Sequence, residues 1–360
     1  MSKPSNMNGA YNWKDNLRRF FRMMVHFDPL LFIGLIAVLA ALAFPAISRL
    51  KSSKQEAVVV YAAQDQVYAE PILREFENST GIKVKAVYDS EAVKTVGLAN
   101  RLLAERSHPQ CDVFWGNEEM RTRQLAAQGI FRETNGWAAF GYRSRRIVIN
   151  TNKISLANAP KSLLDLTNET WRGKVALAFP QFGTTATHFH TLRQLWGEKR
   201  WLAWCRALAA NKPFIVDGNS VVVKQVSRGE AWIGLTDSDD IAAGQREGLP
   251  IAALSLTEES LLIPNTVAVT RNAPHPEAAQ RLFDYLQRRE VADKLVQANA
   301  LESPSAGRRR GDETQAEKTF ETPHVVSYGE IESLVLKPDW DSLLRDLETT
   351  TKQLSEIFLR

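Results

Sequence analysis

The sequence predicts an α/β protein built as two successive α/β units behind a single apolar segment, and three observations carry that prediction. Strand-like and helix-like runs alternate from residue 57 onward, the pattern of a layered α/β fold. The alternation begins afresh near residue 150, and about 305 residues beyond the apolar segment suffice for two domains of ordinary size. Residues 29–47 contain no charged side chain at all.

The apolar segment comes first. About 20 apolar residues cross a bilayer's hydrocarbon core as a helix, so residues 29–48 read as a transmembrane anchor, with residues 1–28 as a cytoplasmic segment. Five basic residues, Lys3, Lys14, Arg18, Arg19 and Arg22, precede it, and three, Arg49, Lys51 and Lys54, follow it closely. That bias favours a cytoplasmic N-terminus and places the remainder on the periplasmic or extracytoplasmic side. A cleaved signal peptide is the competing reading, because Ala41-Leu42-Ala43 offers small residues at a suitable spacing. Residues 1–54 hold eight Lys and Arg against two acids, more than the whole chain's net charge of +4. The exported part is therefore near neutral, and nothing in it suggests nucleic-acid binding.

The first unit opens with the strand Ala57-Val58-Val59-Val60-Tyr61 and a helical pattern over residues 68–80, in which Ile72, Leu73 and Phe76 share a face and Gly81 supplies the stop. A strand at Lys83-Val84-Lys85-Ala86-Val87-Tyr88, a helix over residues 92–105 and a buried strand at Cys111-Asp112-Val113-Phe114-Trp115 complete it. In open α/β sheets ligands bind beyond the carboxyl ends of the strands. Gln64 and Asp65 after the first strand, and Asn117 and Glu118 after Trp115, are therefore candidate site residues.

The second unit follows the strand Arg146-Ile147-Val148-Ile149-Asn150 and continues with a strand over residues 171–178. The turns Gly183-Thr184-Thr185 and Gly218-Asn219-Ser220 each enter a helix, so hydroxyls and free backbone N–H groups gather where a helix carries partial positive charge. These turns either hold an anion or simply cap. The strand Ala231-Trp232-Ile233-Gly234-Leu235 runs into Thr236-Asp237-Ser238-Asp239-Asp240, the densest acidic cluster in the chain. Three carboxylates so close repel one another unless a cation or basic partners balance them. A solvated helix start is the bland alternative.

In order, Tyr61-Ala62-Ala63-Gln64-Asp65, Arg74-Glu75-Phe76-Glu77, Thr80-Gly81-Ile82-Lys83-Val84, Asp112-Val113-Phe114-Trp115, Trp171-Arg172-Gly173-Lys174, Gly183-Thr184-Thr185, Gly218-Asn219-Ser220, Gly234-Leu235-Thr236-Asp237 and Ile263-Pro264-Asn265-Thr266-Val267-Ala268 resemble the periplasmic substrate-binding proteins of ABC importers. The iron(III)-binding branch is the most similar. The resemblance covers roughly residues 57–300 and implies a two-lobed, hinged type II periplasmic-binding-protein fold that closes over a small ligand, with a permease and an ATPase as partners. It divides the chain into a first part of lobe 1 over residues 55–148, lobe 2 over 149–262, and a return to lobe 1 with C-terminal helices over 263–360. The hinge is expected near residues 148–151 and again before residues 266–269.

The departures concern the ligand. Iron-binding relatives commonly place a histidine, an acid and adjacent tyrosines where this chain has Asp65, Asn117 beside Glu118, and Asp239-Asp240. Carboxylates are hard donors, so Asp65, Glu118, Asp237, Asp239 and Asp240 form a candidate site for Fe3+ or another hard cation, bound as cargo; no cofactor is required. The same acids, with Trp115 as a stacking ring, suit a polyamine. Arg143 and Arg145, with Thr184, Thr185 and Ser220, suit an organic anion of phosphonate type. A membrane-tethered ligand sensor is a further reading.

Catalytic motifs are missing from the sequence: it has no G-x-S-x-G, no H-E-x-x-H and no G-x-x-x-x-G-K-[ST]. His188 and His190 stand two apart in a helical stretch and point to different faces, so they are not expected to share a metal. Cys111 and Cys205, each among apolar residues, read as buried free thiols. Residues 303–317 are polar and read as an exposed loop, and residues 340–358 as an amphipathic helix.

Overall fold

The computed structural model describes residues 56–88, 94–134, 136–303 and 335–359. The expected membrane segment and the polar stretch after Ser303 lie outside the described residues. Among the described residues, no helix is long and apolar enough to cross a membrane.

Strand β1 (Ala57–Ala62) is flanked by β2 (Lys83–Val87) and β3 (Val113–Gly116), both parallel to it. Val58 and Val60 are fully buried, which stabilises each by about 1.5–3 kcal/mol relative to exposure. The crossover helix α1 (Gln66–Thr80) buries Ala69, Ile72, Leu73 and Phe76 on one face and ends where Gly81 turns left-handed at φ 74°, its N–H returning to the Glu77 carbonyl. Helix α2 (Lys94–Ala104) follows, and α3 (Glu119–Ala127) starts directly beyond β3.

Strand β4 (Trp137–Asn150) is far longer than the five residues read from the sequence. Residues 137–144 pair antiparallel with β9 (Leu262–Val269), and residues 145–149 pair with β7 (Ile233–Asp237). One strand thus serves two sheets. Its pairing partner changes between Ser144 and Arg145, a few residues ahead of the expected hinge. Gly141, at φ 56°, sits at the register shift of β4 against β9.

Lobe 2 adds β5 (Val175–Ala178), β6 (Phe214–Val216) and β8 (Ile251–Ala253), giving the continuous strand order β2-β1-β3-β9-β4-β7-β5-β6, with β8 on β4. Its helices are α4 (Gly183–Trp196), α5 (Glu198–Ala210), α6 (Asn219–Ser227) and α7 (Ser238–Arg246). Helix α6 packs so closely on the sheet that a Cβ at Gly234 would meet a Val222 methyl at 2.5 Å. Glycine is required there by space, not by φ.

Beyond β9 the chain returns to lobe 1 through α8 (Pro276–Leu286), with Pro276 at a favoured first helical position, and α9 (Arg289–Gln297). The C-terminal amphipathic stretch is two helices, α10 (Trp340–Arg345) and α11 (Leu347–Phe358). They part at Asp346, whose carboxylate accepts from Arg193 at 2.6 Å. Separate cores fill the lobes, and a small cluster of Met120, Ala186, Leu343 and Leu347 joins them. Cys111 and Cys205 are free and buried in different clusters.

Candidate cation-binding site

The acidic cluster forms where β7 ends and α7 begins. Asp237 closes the strand and caps the helix, while Asp239 and Asp240 occupy its first turn, where negative charge meets the helix's positive end. The three carboxylates each place an oxygen within 4.8 Å of the others. Asp237 and Asp239 are buried, and Asp240 is partly buried.

Asp237 is held by an almost complete hydrogen-bond shell. Arg145 Nη1 donates to its Oδ1 at 2.7 Å, and Oδ2 accepts from the Thr184 hydroxyl at 2.8 Å, from Asn219 Nδ2 at 3.2 Å and from Arg143 Nε at 3.3 Å. Burial pushes this carboxyl upward, but Arg145 and Arg143 outweigh it and hold the group below its ordinary value. Asp239 behaves oppositely. Burial, only partly offset by Arg143 and reinforced by Asp237 and Asp65, lifts it to about 7.

The two arginines therefore have a definite role. Both lie on β4 at its crossing point, buried, and both turn inward to Asp237. Removing one partner of such a buried pair leaves an uncompensated charge and costs about 3–5 kcal/mol. Arg143 and Arg145, which from the sequence suit an organic anion, here act as counterions to Asp237. Arg143 also donates to Asn265 Oδ1 at 3.2 Å, and Asn265 Nδ2 donates to Gln64 Oε1 at 3.0 Å. A buried polar chain thus runs from Gln64 in lobe 1, through the two crossing strands, to Asp237 in lobe 2. Asn265 was missed as a site residue although its motif was noted, because only pairing across β4 and β9 brings it to Arg143.

The remaining expected residues divide. Asp65 occupies the N-cap position of α1 and lies near enough to Arg143 and Asp239 to act on both electrostatically. Asn219 accepts from Arg145 at 2.9 Å and receives the Thr185 hydroxyl at 3.5 Å, so the starts of α4 and α6 meet side by side, with Ser220 in the first turn of α6. Asn117 is buried after β3. Trp115 is a correction: its ring is fully buried in the lobe 1 core against Phe140 and offers no face to a ligand. Apolar packing claims that side chain because β3 is buried on both faces.

Glu118 lies apart from the acidic cluster. Its oxygens accept from the Arg121 backbone N–H at 3.0 Å and from the Thr187 hydroxyl at 2.9 Å, while burial raises its pKa. It does not join the Asp237 group of carboxylates. Thr184 and Thr187 share one face of α4, so Asp237 and Glu118 reach the same helix from opposite lobes.

Tyr68, in the first turn of α1, is a residue that sequence reasoning passed over. Its phenol is raised by burial and then by Asp239, with Asp240 also acting on it. A search confined to residues following the acidic strand could not find it, because it arrives from the other lobe. His188 Nε2 donates to the Glu259 carbonyl at 2.6 Å, and His190 lies near Thr351; both are buried and held neutral, lowered to about 3.

Two lobes joined by crossing strands, with polar groups gathered at the strand ends between them, define a hinged α/β solute-binding protein. Residues 57–298 match the bacterial extracellular solute-binding protein family, and the chain belongs to it. Among curated relatives, the Fe(3+)-binding periplasmic protein of Serratia marcescens is 32% identical over 221 residues, 56% of this chain and 63% of that protein. The chain thus matches under two thirds of that relative's length. Iron-bound HitA from Pseudomonas aeruginosa has a similar fold, with a TM-score of 0.69 at 20% identity over 83% of this chain and 99% of that one. AfuA from Actinobacillus pleuropneumoniae, with fructose-6-phosphate bound, has a TM-score of 0.70 at 17% identity over 85% and 99%. At these identities the two structures speak for fold alone.

Proposed function

We propose that this chain is the extracytoplasmic solute-capturing component of an ABC importer, without enzymatic activity, and that it takes a hard cation, ferric iron foremost, between its lobes. One observation carries the reading: Asp65, Asp237, Asp239 and Asp240 set four carboxylates against the two guanidiniums of Arg143 and Arg145. Burial raises Asp239, with Asp237 and Asp65 adding to it, and a bound cation relieves that cost. Carboxylate and phenol oxygens are hard donors, which suits ferric, manganese or calcium ions better than soft metals. The names of the Serratia and Pseudomonas proteins support iron among these. The apolar run at residues 29–48 supplies a membrane anchor in this reading, keeping the receptor near its permease and ATPase.

A polyamine is the second reading, favoured by the same surplus of acids. An organic anion is less well served, because Asp237 already occupies both arginines. A thermal-shift and calorimetry panel on residues 55–360 with ferric citrate, manganese, calcium, spermidine and a phosphonate separates them, since a ligand of the folded form alone raises stability with its concentration. Ferric ion should bind, and stabilisation by spermidine alone would replace the metal reading.

A further inference from the structure

Helix α7 has two functional ends. Its first turn carries Asp239 and Asp240, and its last residue is Arg246. Arg246 Nη1 donates to the Ala298 carbonyl at 2.6 Å, and Nη2 reaches the Tyr68 hydroxyl at 3.4 Å. Ala298 ends helix α9, and Tyr68 stands in α1, both elements of lobe 1. The body of α7 belongs to lobe 2, where Ile241 packs with Val148, Ala176 and Val222. The contact therefore spans the two lobes.

We propose that Arg246 is a positioning residue that latches the lobes shut and so sets how long a captured ligand stays. A guanidinium at the C-terminal end of a helix meets carbonyls that carry partial negative charge, and its bond is charge-assisted. Arg246 is exposed, so water competes for it and the bond is weak enough to open in each cycle. The bond of Glu118 with Thr187 is, by contrast, buried. Because α7 is one rigid helix of nine residues, about 13 Å long, any tilt that frees Arg246 also moves Asp239 and Asp240 relative to Asp65 and Tyr68. Release of the latch and loosening of the site are one motion.

This inference rests on the capture reading for its purpose, but the latch is measurable without ligand. Spin labels at Arg74→Cys and Arg228→Cys, positions 72% and 68% exposed on opposite lobes, report lobe separation by pulsed dipolar spectroscopy; the native cysteines are buried. In the ligand-free protein Arg246→Ala should reduce the closed population about 3- to 10-fold, the scale of one exposed charge-assisted bond, and Arg246→Lys by less. An unchanged distance distribution in Arg246→Ala overturns the proposal. With ferric citrate as the probe, ferric ion should leave Arg246→Ala faster by a similar factor. A closed population that falls in a protein that binds no ferric ion keeps the latch and rejects the metal reading instead.

Discussion

The two walls of the site are built differently. In lobe 2, Asp237, Arg145 and Thr184 are almost wholly buried, and with Asn219 they are bonded to one another, so their positions are set before any ligand arrives. In lobe 1, Asp65 and Tyr68 are only partly buried and sit in the first turn or cap of one helix. The difference teaches a division of labour. On the proposed reading, lobe 2 is a preorganised half-site and lobe 1 is the cover that completes it. On that reading, preorganisation places the folding cost in lobe 2 and leaves lobe 1 to govern entry and release.

The largest expected effect tests the rigidity of lobe 2. Arg145→Ala leaves Asp237 buried with its main counterion gone and should cost about 3–5 kcal/mol in urea denaturation; adding Asp237→Asn should return much of that. A loss below about 1 kcal/mol in the single variant would mean that the lobe 2 wall is no more fixed than its partner. Next comes the ligand itself. Asp239→Asn combined with Asp240→Asn should abolish the thermal shift given by ferric citrate while the protein stays folded, and an unchanged shift removes these residues from the site.

A pH series sharpens the same contrast. Asp239 is raised to about 7 in the folded protein, so the folded state holds its proton where the unfolded chain has released it. The ligand-free protein should lose stability as pH rises from about 4 to 7, and Asp239→Asn should flatten that slope. Cation affinity should rise over the same interval, because the metal competes with that proton; affinity independent of pH between 5 and 8 would contradict this. On the lobe 1 side, Asp65→Asn should weaken ferric binding about 10-fold, in the range found for groups that support a metal's ligands, with the denaturation midpoint unmoved. Smallest is Tyr68→Phe, expected to change affinity by no more than about 3-fold, and calorimetry decides whether the phenol acts on the ligand or only on Arg246.

Much of the fold was legible. The helix over residues 68–80 with its glycine stop was readable because amphipathic spacing and a left-handed terminus leave local marks. The turns at Gly183 and Gly218 and the acidic cluster at 237–240 were readable for the same reason. The long reach of β4 was not, since polar residues such as Arg143 and Arg145 argue against a buried strand until their partner Asp237 is known. Trp115 and Glu118 show the opposite failure. An aromatic ring at the end of a strand and an acid just after it suggested ligand contacts, yet packing against Phe140 and bonding to Thr187 take up their surfaces.

Alternating strand and helix patterns, turn residues and a concentration of aspartates determined by themselves an α/β fold with an acidic cluster, because period, propensity and charge are properties of short stretches. Which acids are neutralised and which remain in surplus was decided only by tertiary structure. The crossing of β4 and β9 sets Arg143, Arg145 and Asn265 beside residues 74 to 201 positions away in sequence, and the strength of a charge depends on burial and on partners that no local pattern specifies.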